Sequence, residues 1–386
     1  MTDRVYLDWN ATAPLRAEAR QAMISALQLC GNPSSVHAEG RSARRLVEDA
    51  RAIVADATGA LPRNVIFTSG GTEANALALS AGLRRGSGAP VERLLVSAIE
   101  HASVLAGGNF SASTIETIPV TGFGLIDLSR LRTLLVGRPP ALVSVMLANN
   151  ETGAVQPVAE AAEIVHSEGG LMHVDAIQAF GKIKFNINSL NADLVSLSAH
   201  KIGGPKGVGA LALADGITGL EPLLRGGGQE LSRRAGTENV AGIAGFGAAA
   251  AKAALEALET ETNRLEALRE RLERGLRQTP GAIIFSDAAR RLPNTTLFTV
   301  PGLRAETAVI GFDLAGIAVS SGSACSSGKV QPSHVLQAMG YGPELAQGAV
   351  RLSLGWSTED ADIDRCLEAW RMLAGGLLKG QRRNTA

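Results

Sequence analysis

Leu197-Ser198-Ala199-His200-Lys201-Ile202-Gly203-Gly204-Pro205-Lys206-Gly207 closes an apolar run that begins at Asp193. The run reads as a strand. Two small residues, a His and a Lys follow it, and then a glycine-rich turn. An amine is thereby set at the end of a strand. In a dry site such an amine loses its proton readily and becomes a nucleophile. A lone lysine before a Gly-Pro turn is usually a solvated surface charge. Its meaning depends on what the rest of the chain brings to it.

Working outward, helical and strand patterns alternate from about residue 40 to 215. Charged residues spaced among Leu, Val and Ala predict a helix over Ala38–Ala57. Val65-Ile66-Phe67 predicts a short strand, and Gly70-Gly71-Thr72-Glu73 opens a helix through Leu83. Leu94-Leu95-Val96 and Leu142–Leu147 are apolar strands. Pro157 starts a helix running to Ser167, and Leu171-Met172-His173-Val174 is a strand ending at Asp175. Fully apolar strands alternating with helices predict an α/β fold with a mostly parallel sheet covered on both faces. Residues 238 to 278 read as long helix leading out of this unit. Strands at Ala282–Phe285, Thr295–Val300, Ile317–Ser320 and Val350–Leu354 then predict a smaller α+β unit.

Composition narrows the function. A chain of 386 residues is long for one core, so two domains are expected. Lys+Arg and Asp+Glu both total 37, which leaves no charge footprint for nucleic acid or an acidic membrane. The most apolar stretch, Val240 to Ala251, falls short of the roughly 18 residues a membrane helix needs. Met1-Thr2-Asp3-Arg4 leads straight into Val5-Tyr6-Leu7-Asp8 with no secretory apolar region. The three cysteines, Cys30, Cys325 and Cys366, match no disulfide framework or metal spacing. A reducing, cytoplasmic setting is expected, with no nucleic-acid or membrane partner.

Several residues have the chemistry to serve the Lys201 amine. That amine can hold pyridoxal phosphate as a Schiff base, a task only a lysine performs. Asp175, at a strand's carboxyl end where α/β ligands gather, can face a pyridinium nitrogen; it can equally cap the next turn. Gly71 and Thr72 open a helix after a strand, and Ser198 and His200 flank Lys201; all four suit a phosphate. His101, opening another helix, can stack on an aromatic cofactor, shuttle a proton or simply serve structure. Arg351 is a charge inside an apolar strand and needs an anion, either a substrate carboxylate or an internal carboxylate. Cys325, in Ser320-Ser321-Gly322-Ser323-Ala324-Cys325-Ser326-Ser327-Gly328, sits in a small-residue loop where a thiolate is accessible. Cys30 and Cys366 read as packing residues in helical contexts.

Taken together, these segments resemble the cysteine desulfurases of the NifS/IscS type among the fold-type I pyridoxal phosphate enzymes. The resemblance spans nearly the whole chain. It is carried by Tyr6-Leu7-Asp8-Trp9-Asn10-Ala11-Thr12, Gly31-Asn32-Pro33-Ser34-Ser35, Thr68-Ser69-Gly70-Gly71-Thr72-Glu73-Ala74-Asn75, Glu100-His101 and Asn149-Asn150-Glu151-Thr152-Gly153. It continues through His173-Val174-Asp175-Ala176-Ile177-Gln178, Ser198-Ala199-His200-Lys201, Gly226-Gly227-Gly228-Gln229-Glu230, Arg234-Ala235-Gly236-Thr237-Glu238-Asn239 and Ser321-Gly322-Ser323-Ala324-Cys325.

The resemblance implies a seven-stranded sheet in a large cofactor-binding domain over 16–258, and a small domain from 1–15 and 259–386 that carries Cys325. It implies that Lys201 forms the imine and moves protons, Asp175 pairs with the ring nitrogen, and Gln178 donates to the ring's phenolic oxygen. His101 stacks on the ring, and Gly71, Thr72, Ser198 and His200 hold the phosphate. Thr237 reaches a phosphate from the second subunit of a homodimer. Asn150 and Arg351 hold L-cysteine, and Asn150 also lies against the cofactor. Cys325 takes the sulfur as a persulfide, and it is the candidate ligand for a transient iron–sulfur cluster. A sulfur acceptor or iron–sulfur scaffold protein is the expected partner, with nitrogenase assembly, general iron–sulfur assembly and tRNA thiolation as destinations. Selenocysteine lyase or aminotransferase activity on the same scaffold, and a sulfur carrier with secondary catalysis, are the competing readings. Gly203 and Trp9 depart from the family pattern, in which larger and polar residues respectively are common. The chain's end soon after its last helix leans toward the NifS branch.

Overall fold

A computed structural model describes residues 4–256, 259–322 and 332–384. Seven strands form the main sheet in the order Val65–Thr68, Gly209–Leu213, Leu194–Ser198, Leu171–Asp175, Ala141–Met146, Arg93–Ser97, Ile115–Ile118. Six of them run the same way. Gly209–Leu213 alone is antiparallel, to Leu194–Ser198 on one side and Val65–Thr68 on the other. The reason is the connection. The stretch from Ala199 to Val208 is shorter than the dozen or so residues a parallel crossover needs, so the chain turns back. The same short return presents Lys201 at the sheet edge.

Residues of the inner strands are buried throughout, whereas the edge strand Ile115–Ile118 is partly exposed. Alternation sends Leu95, Val143, Val145, Val174, Val195 and Leu197 to one face. Helices Ala38–Thr58, Leu128–Leu135, Val158–Ser167 and Val240–Glu256 cover that face. Leu94, Val96, Leu142 and Leu194 point the other way, against helix Gly71–Ala78. Burial on two faces is why these strands read as continuous apolar runs.

A second, antiparallel sheet joins Ile283–Ile284, Thr295–Thr299, Val350–Ser353 and Ser320–Ser321. Its core holds Leu268, Leu272, Phe298, Phe312, Leu367 and Trp370. Phe298 and Trp370 meet edge to face, with centroids 4.9 Å apart. Each buried ring of this kind contributes about 2–3 kcal/mol. The chain's beginning belongs to this layer. Val5–Tyr6 pairs in parallel with Ile317–Ala318, and Asp8 bridges to Ser353. From there the chain crosses to the main sheet.

Some expectations are corrected. The helix opened by Gly70 and Gly71 ends at Ala78, because Leu79 leaves helical angles and Gly82 takes φ 89°. The strand expected over Ile317–Ser320 splits between two sheets. The helix expected over 238–278 is described as Val240–Glu256 and Glu259–Leu276. Cys30 is exposed and follows the end of helix Ala17–Leu27, so it does not pack as expected. Cys366 does, and burial pushes its thiol up to about 12. Among the described residues no single helix is long and apolar enough to cross a membrane, and no trio of His, Cys, Asp or Glu gathers to hold a metal.

Gly203 and Trp9 fit each other across Trp356. A Cβ on Gly203 would lie 2.6 Å from both Arg16 Cγ and Trp356 Cη2. Trp356 stands edge-on to Trp9 at 4.5 Å, and the Arg16 guanidinium lies 3.7 Å from the Trp356 ring centre. The glycine makes room for the tryptophan pair and the arginine stacked on it.

Candidate active site

The six co-directional strands release their following residues at one edge of the sheet. Thr68 leads to Gly71, Ser97 to Glu100 and His101, and Met146 to Asn150. Asp175 ends its own strand, and Ser198 leads into the short 3-10 turn Ala199–Lys201. The topology thus gathers residues scattered over more than a hundred positions.

Lys201 Nζ donates to two backbone carbonyls, Asn10 O at 2.6 Å and Ala11 O at 2.8 Å. Burial pushes this amine down to about 8, and the positive charge of Arg351 pushes the same way; the Asp8 and Asp175 carboxylates oppose both. Asp175 Oδ1 accepts from Ile177 N at 2.9 Å and Oδ2 from Asn75 Nδ2 at 2.8 Å. Of the two uses the sequence left open for Asp175, the turn is served by Oδ1, while Oδ2 accepts from the Asn75 amide. Burial holds its carboxyl above the usual range, against those two hydrogen bonds and the charges of His101 and Lys201. A cation placed beside it would favour the carboxylate.

Asn75 Nδ2 also donates to Ser103 Oγ at 2.9 Å, and His101 Nδ1 lies 2.8 Å from the same hydroxyl. His101 is an exposed residue, yet desolvation, with the Lys201 and His334 charges and against that of Asp175, holds its imidazole below the usual range. Beneath them, Glu100 is fully buried. Its Oε1 accepts from Met146 N at 2.7 Å, while Oε2 has no partner. Burial, with the Asp175 charge, pushes the Glu100 carboxyl well above the carboxylate range, against the hydrogen bond from Met146 N.

Ser198 and Gly71, both expected to hold a phosphate, lie side by side. A Cβ on Gly71 would come 3.3 Å from Ser198 Cβ, and the buried Ser198 Oγ has no partner. Thr72 is exposed at the first turn of helix Gly71–Ala78. His200 Nδ1 lies 3.2 Å from Thr12 Oγ1, and burial together with nearby lysine charges pushes the imidazole down to about 4.

Arg351 is anchored rather than free. Its Nη2 donates to Asp8 Oδ1 at 2.8 Å and its Nη1 to Asn150 O at 3.0 Å, while the buried Nε has no partner among the described residues. Of the two anions the sequence left open, the internal carboxylate is present. Glu151 accepts from Ser333 Oγ at 2.6 Å; burial pushes it up to about 7, against that hydrogen bond and the Arg351 charge.

Thr237 is not among the groups around Lys201. It is exposed on a loop and lines a separate cavity with Arg234 and Glu238. Cys325, the expected thiol and cluster ligand, lies outside the described residues.

Sequence reasoning missed the hub of the site. Asn10 O receives both Lys201 and Gln178 Nε2, the latter at 2.9 Å. Asn10 Nδ2 donates to Thr295 Oγ1 at 2.9 Å, tying the two sheets together. Asn75, Asp8 and Lys182 were missed as well. Each stands beside or inside a segment already singled out; what was lacking was any sign of its partners.

A family model described as Aminotransferase class-V matches residues 5–366. The chain belongs to the class V aminotransferase family. It is 46% identical to a cysteine desulfurase of Cereibacter sphaeroides, over 95% of this chain and 94% of that protein. An IscS-like cysteine desulfurase of Mycobacterium tuberculosis is 39% identical, over 98% of this chain and 97% of its own length. Among solved structures, a NifS-like protein from Rickettsia africae superposes with a TM-score of 0.87 at 39% identity, covering 96% of this chain and 99% of that one.

Proposed function

We propose that this class V chain is a cysteine desulfurase. It is a pyridoxal phosphate-dependent enzyme that converts L-cysteine to L-alanine and keeps the sulfur as an enzyme persulfide. The observation that carries the reading is the Lys201 amine, half-buried, depressed to about 8 and close enough to Asp175 to feel its charge. The full-length likeness to curated cysteine desulfurases supports the choice of substrate. So does a solved relative described in complex with cysteine, with a TM-score of 0.75 at 28% identity.

The residues present fit the cofactor. An orphaned buried hydroxyl at Ser198 lies beside the N-terminus of helix Gly71–Ala78, where backbone N–H groups are unpaired and the helix dipole favours an anion. Ser198, Gly71, Thr72 and His200 would hold the phosphate, joined by Thr237 of the second subunit in a homodimer. Asp175 would keep a proton on the ring nitrogen, Gln178 would donate to the ring oxygen, and His101 would lie on the ring face. When bound, the cofactor supplies an electron sink for negative charge at the carbons of the substrate.

The chain's own groups do the rest. Arg351 and Asn150 bind and orient the substrate, the guanidinium gripping its carboxylate. Because Asp8 already holds one side of Arg351, the buried Nε is the donor still to be matched. Lys201, once free, takes and returns protons at the substrate's carbons; a depressed amine is suited to that exchange near neutral pH. Cys325 attacks the substrate sulfur as a thiolate. The carbon–sulfur bond breaks, a sulfur–sulfur bond forms, and alanine leaves.

The division into domains over 16–258 and over 1–15 with 259–386 is part of the same proposal, supported by distinct apolar clusters on the main sheet and on the second sheet, with a smaller cluster of Ile99, Phe285, Leu297 and Val335 between them. So are a cytoplasmic setting, delivery of sulfur to an iron–sulfur scaffold, nitrogenase assembly among the destinations, and Cys325 as a transient cluster ligand. The deciding experiment incubates the protein with L-cysteine and a thiol, and measures alanine and sulfide. Equal amounts are expected. Cys325→Ala is expected to keep the cofactor's colour and form no alanine; undiminished turnover in that variant overturns the assignment of the nucleophile.

A further inference from the structure

A second lysine lies beside the first. Lys182 Nζ donates to Gln178 Oε1 at 2.6 Å, one helical turn away in sequence, and to Asn10 Oδ1 at 2.8 Å. Both acceptors are uncharged. The charges that act on Lys182 are those of Lys201 and Arg351, and both are positive. An ammonium here would be a third cation beside the half-buried Lys201 and the buried Arg351, with no carboxylate among its hydrogen-bond partners. A neutral amine has two N–H groups for two acceptors and avoids that cost. Burial and the two neighbouring cations hold Lys182 well below the usual lysine range, in keeping with this geometry. Lys182 and Lys201 also line one small cavity of about 40 Å³ with Trp9, Trp356, Arg16, Glu256 and Glu261; Glu256 is held by the Arg16 guanidinium, and neither carboxylate bonds Lys182.

The pattern of bonds has a consequence for Gln178. Its oxygen is taken by Lys182 and its Nε2 donates to Asn10 O at 2.9 Å. Lys201 Nζ donates to that same carbonyl at 2.6 Å. We propose that Lys182 is a positioning residue, an uncharged amine that locks the Gln178 carboxamide and the Asn10 side chain, so that Gln178 Nε2 and the Lys201 amine are set on one shared carbonyl. Gln178 retains one further N–H to donate. This inference rests on the reading of Lys201 and Gln178 as cofactor-holding groups.

The test is a pH titration of the visible absorption band of the holoenzyme, in wild type, Lys182→Met, Gln178→Ala and the double variant. Lys182→Met is expected to move the midpoint by about half a unit to one unit, the worth of one hydrogen bond. It is expected to add nothing once Gln178 is already Ala, because both changes remove one linkage. Lys182→Gln keeps an N–H donor and is expected to shift less; if the Met variant does not fold, the Gln variant enters the same cycle. An unmoved midpoint in Lys182→Met, shifts that add in the double variant, or loss of the band in Lys182→Met but not in Gln178→Ala overturns the proposal. A wild-type protein with no band after exposure to pyridoxal phosphate overturns the cofactor reading instead.

Discussion

Asn75 Nδ2 donates to Asp175 Oδ2 at 2.8 Å from a side chain with no solvent exposure. The same nitrogen reaches Ser103, so one amide couples the carboxylate at the end of one strand to the helix that begins at His101. Helix Gly71–Ala78 thus offers its N-terminus to a phosphate and, a turn later, orients the carboxylate proposed for the ring nitrogen.

Replacing Asn75 with Leu removes that orientation while filling most of the volume. Loss of a hydrogen bond to a buried charged group costs about 1.5–3 kcal/mol. Affinity for pyridoxal phosphate is therefore expected to fall by roughly tenfold to a hundredfold. Titrating the apoprotein with the cofactor and following its absorbance checks this.

The Lys201 amine, pushed down to about 8, is free base in about one molecule in ten at pH 7. An ordinary lysine would be so in fewer than one in a thousand. The rate at which apoprotein takes up the cofactor is expected to rise about tenfold per pH unit below this midpoint, and to level off above it. Arg351→Leu removes a positive charge that depresses the amine, so the midpoint is expected to rise; Asp8→Asn removes an opposing carboxylate and is expected to lower it. Stopped-flow loading rates across pH provide the measurement.

Arg351→Lys keeps the charge but loses the planar fork that Asp8 and the Asn150 carbonyl hold in place. An expected loss of about 2–3 kcal/mol in substrate binding corresponds to a KM for L-cysteine raised by roughly thirtyfold to a hundredfold. The cofactor band is expected to persist. Steady-state kinetics on the coloured variant separate the two effects.

Gly203→Tyr is expected to destabilise the protein. Its Cβ would meet Arg16 and Trp356 at 2.6 Å, from a backbone at φ 80°. Overpacking and a left-handed backbone together cost about 2–4 kcal/mol. The denaturant midpoint measures it. Restoring stability by adding Trp356→Ala would confirm that the ring is what the new side chain strikes.

Much of the site was legible because its chemistry is residue-specific and local. An amine after a strand, a Gly-Gly-Thr at a helix start and a carboxylate at a strand end can each be recognised from neighbouring residues. The apolar runs likewise announced a sheet buried on both faces, since periodicity records burial. The reversed strand Gly209–Leu213 was not read, though the short return after Lys201 leaves no room for a parallel crossover.

Pairings between remote segments carry no such local mark. That Asn10 would receive Lys201 and Gln178, that Asp8 would take one face of Arg351, and that Lys182 would lie uncharged against Gln178 follow from the beginning of the chain crossing between two sheets. Hydrogen bonds and desolvation depend on what lies within a few ångströms, and folding alone sets those distances. Residue order named the reactive groups; the packing of the two layers chose their partners and hence their charge.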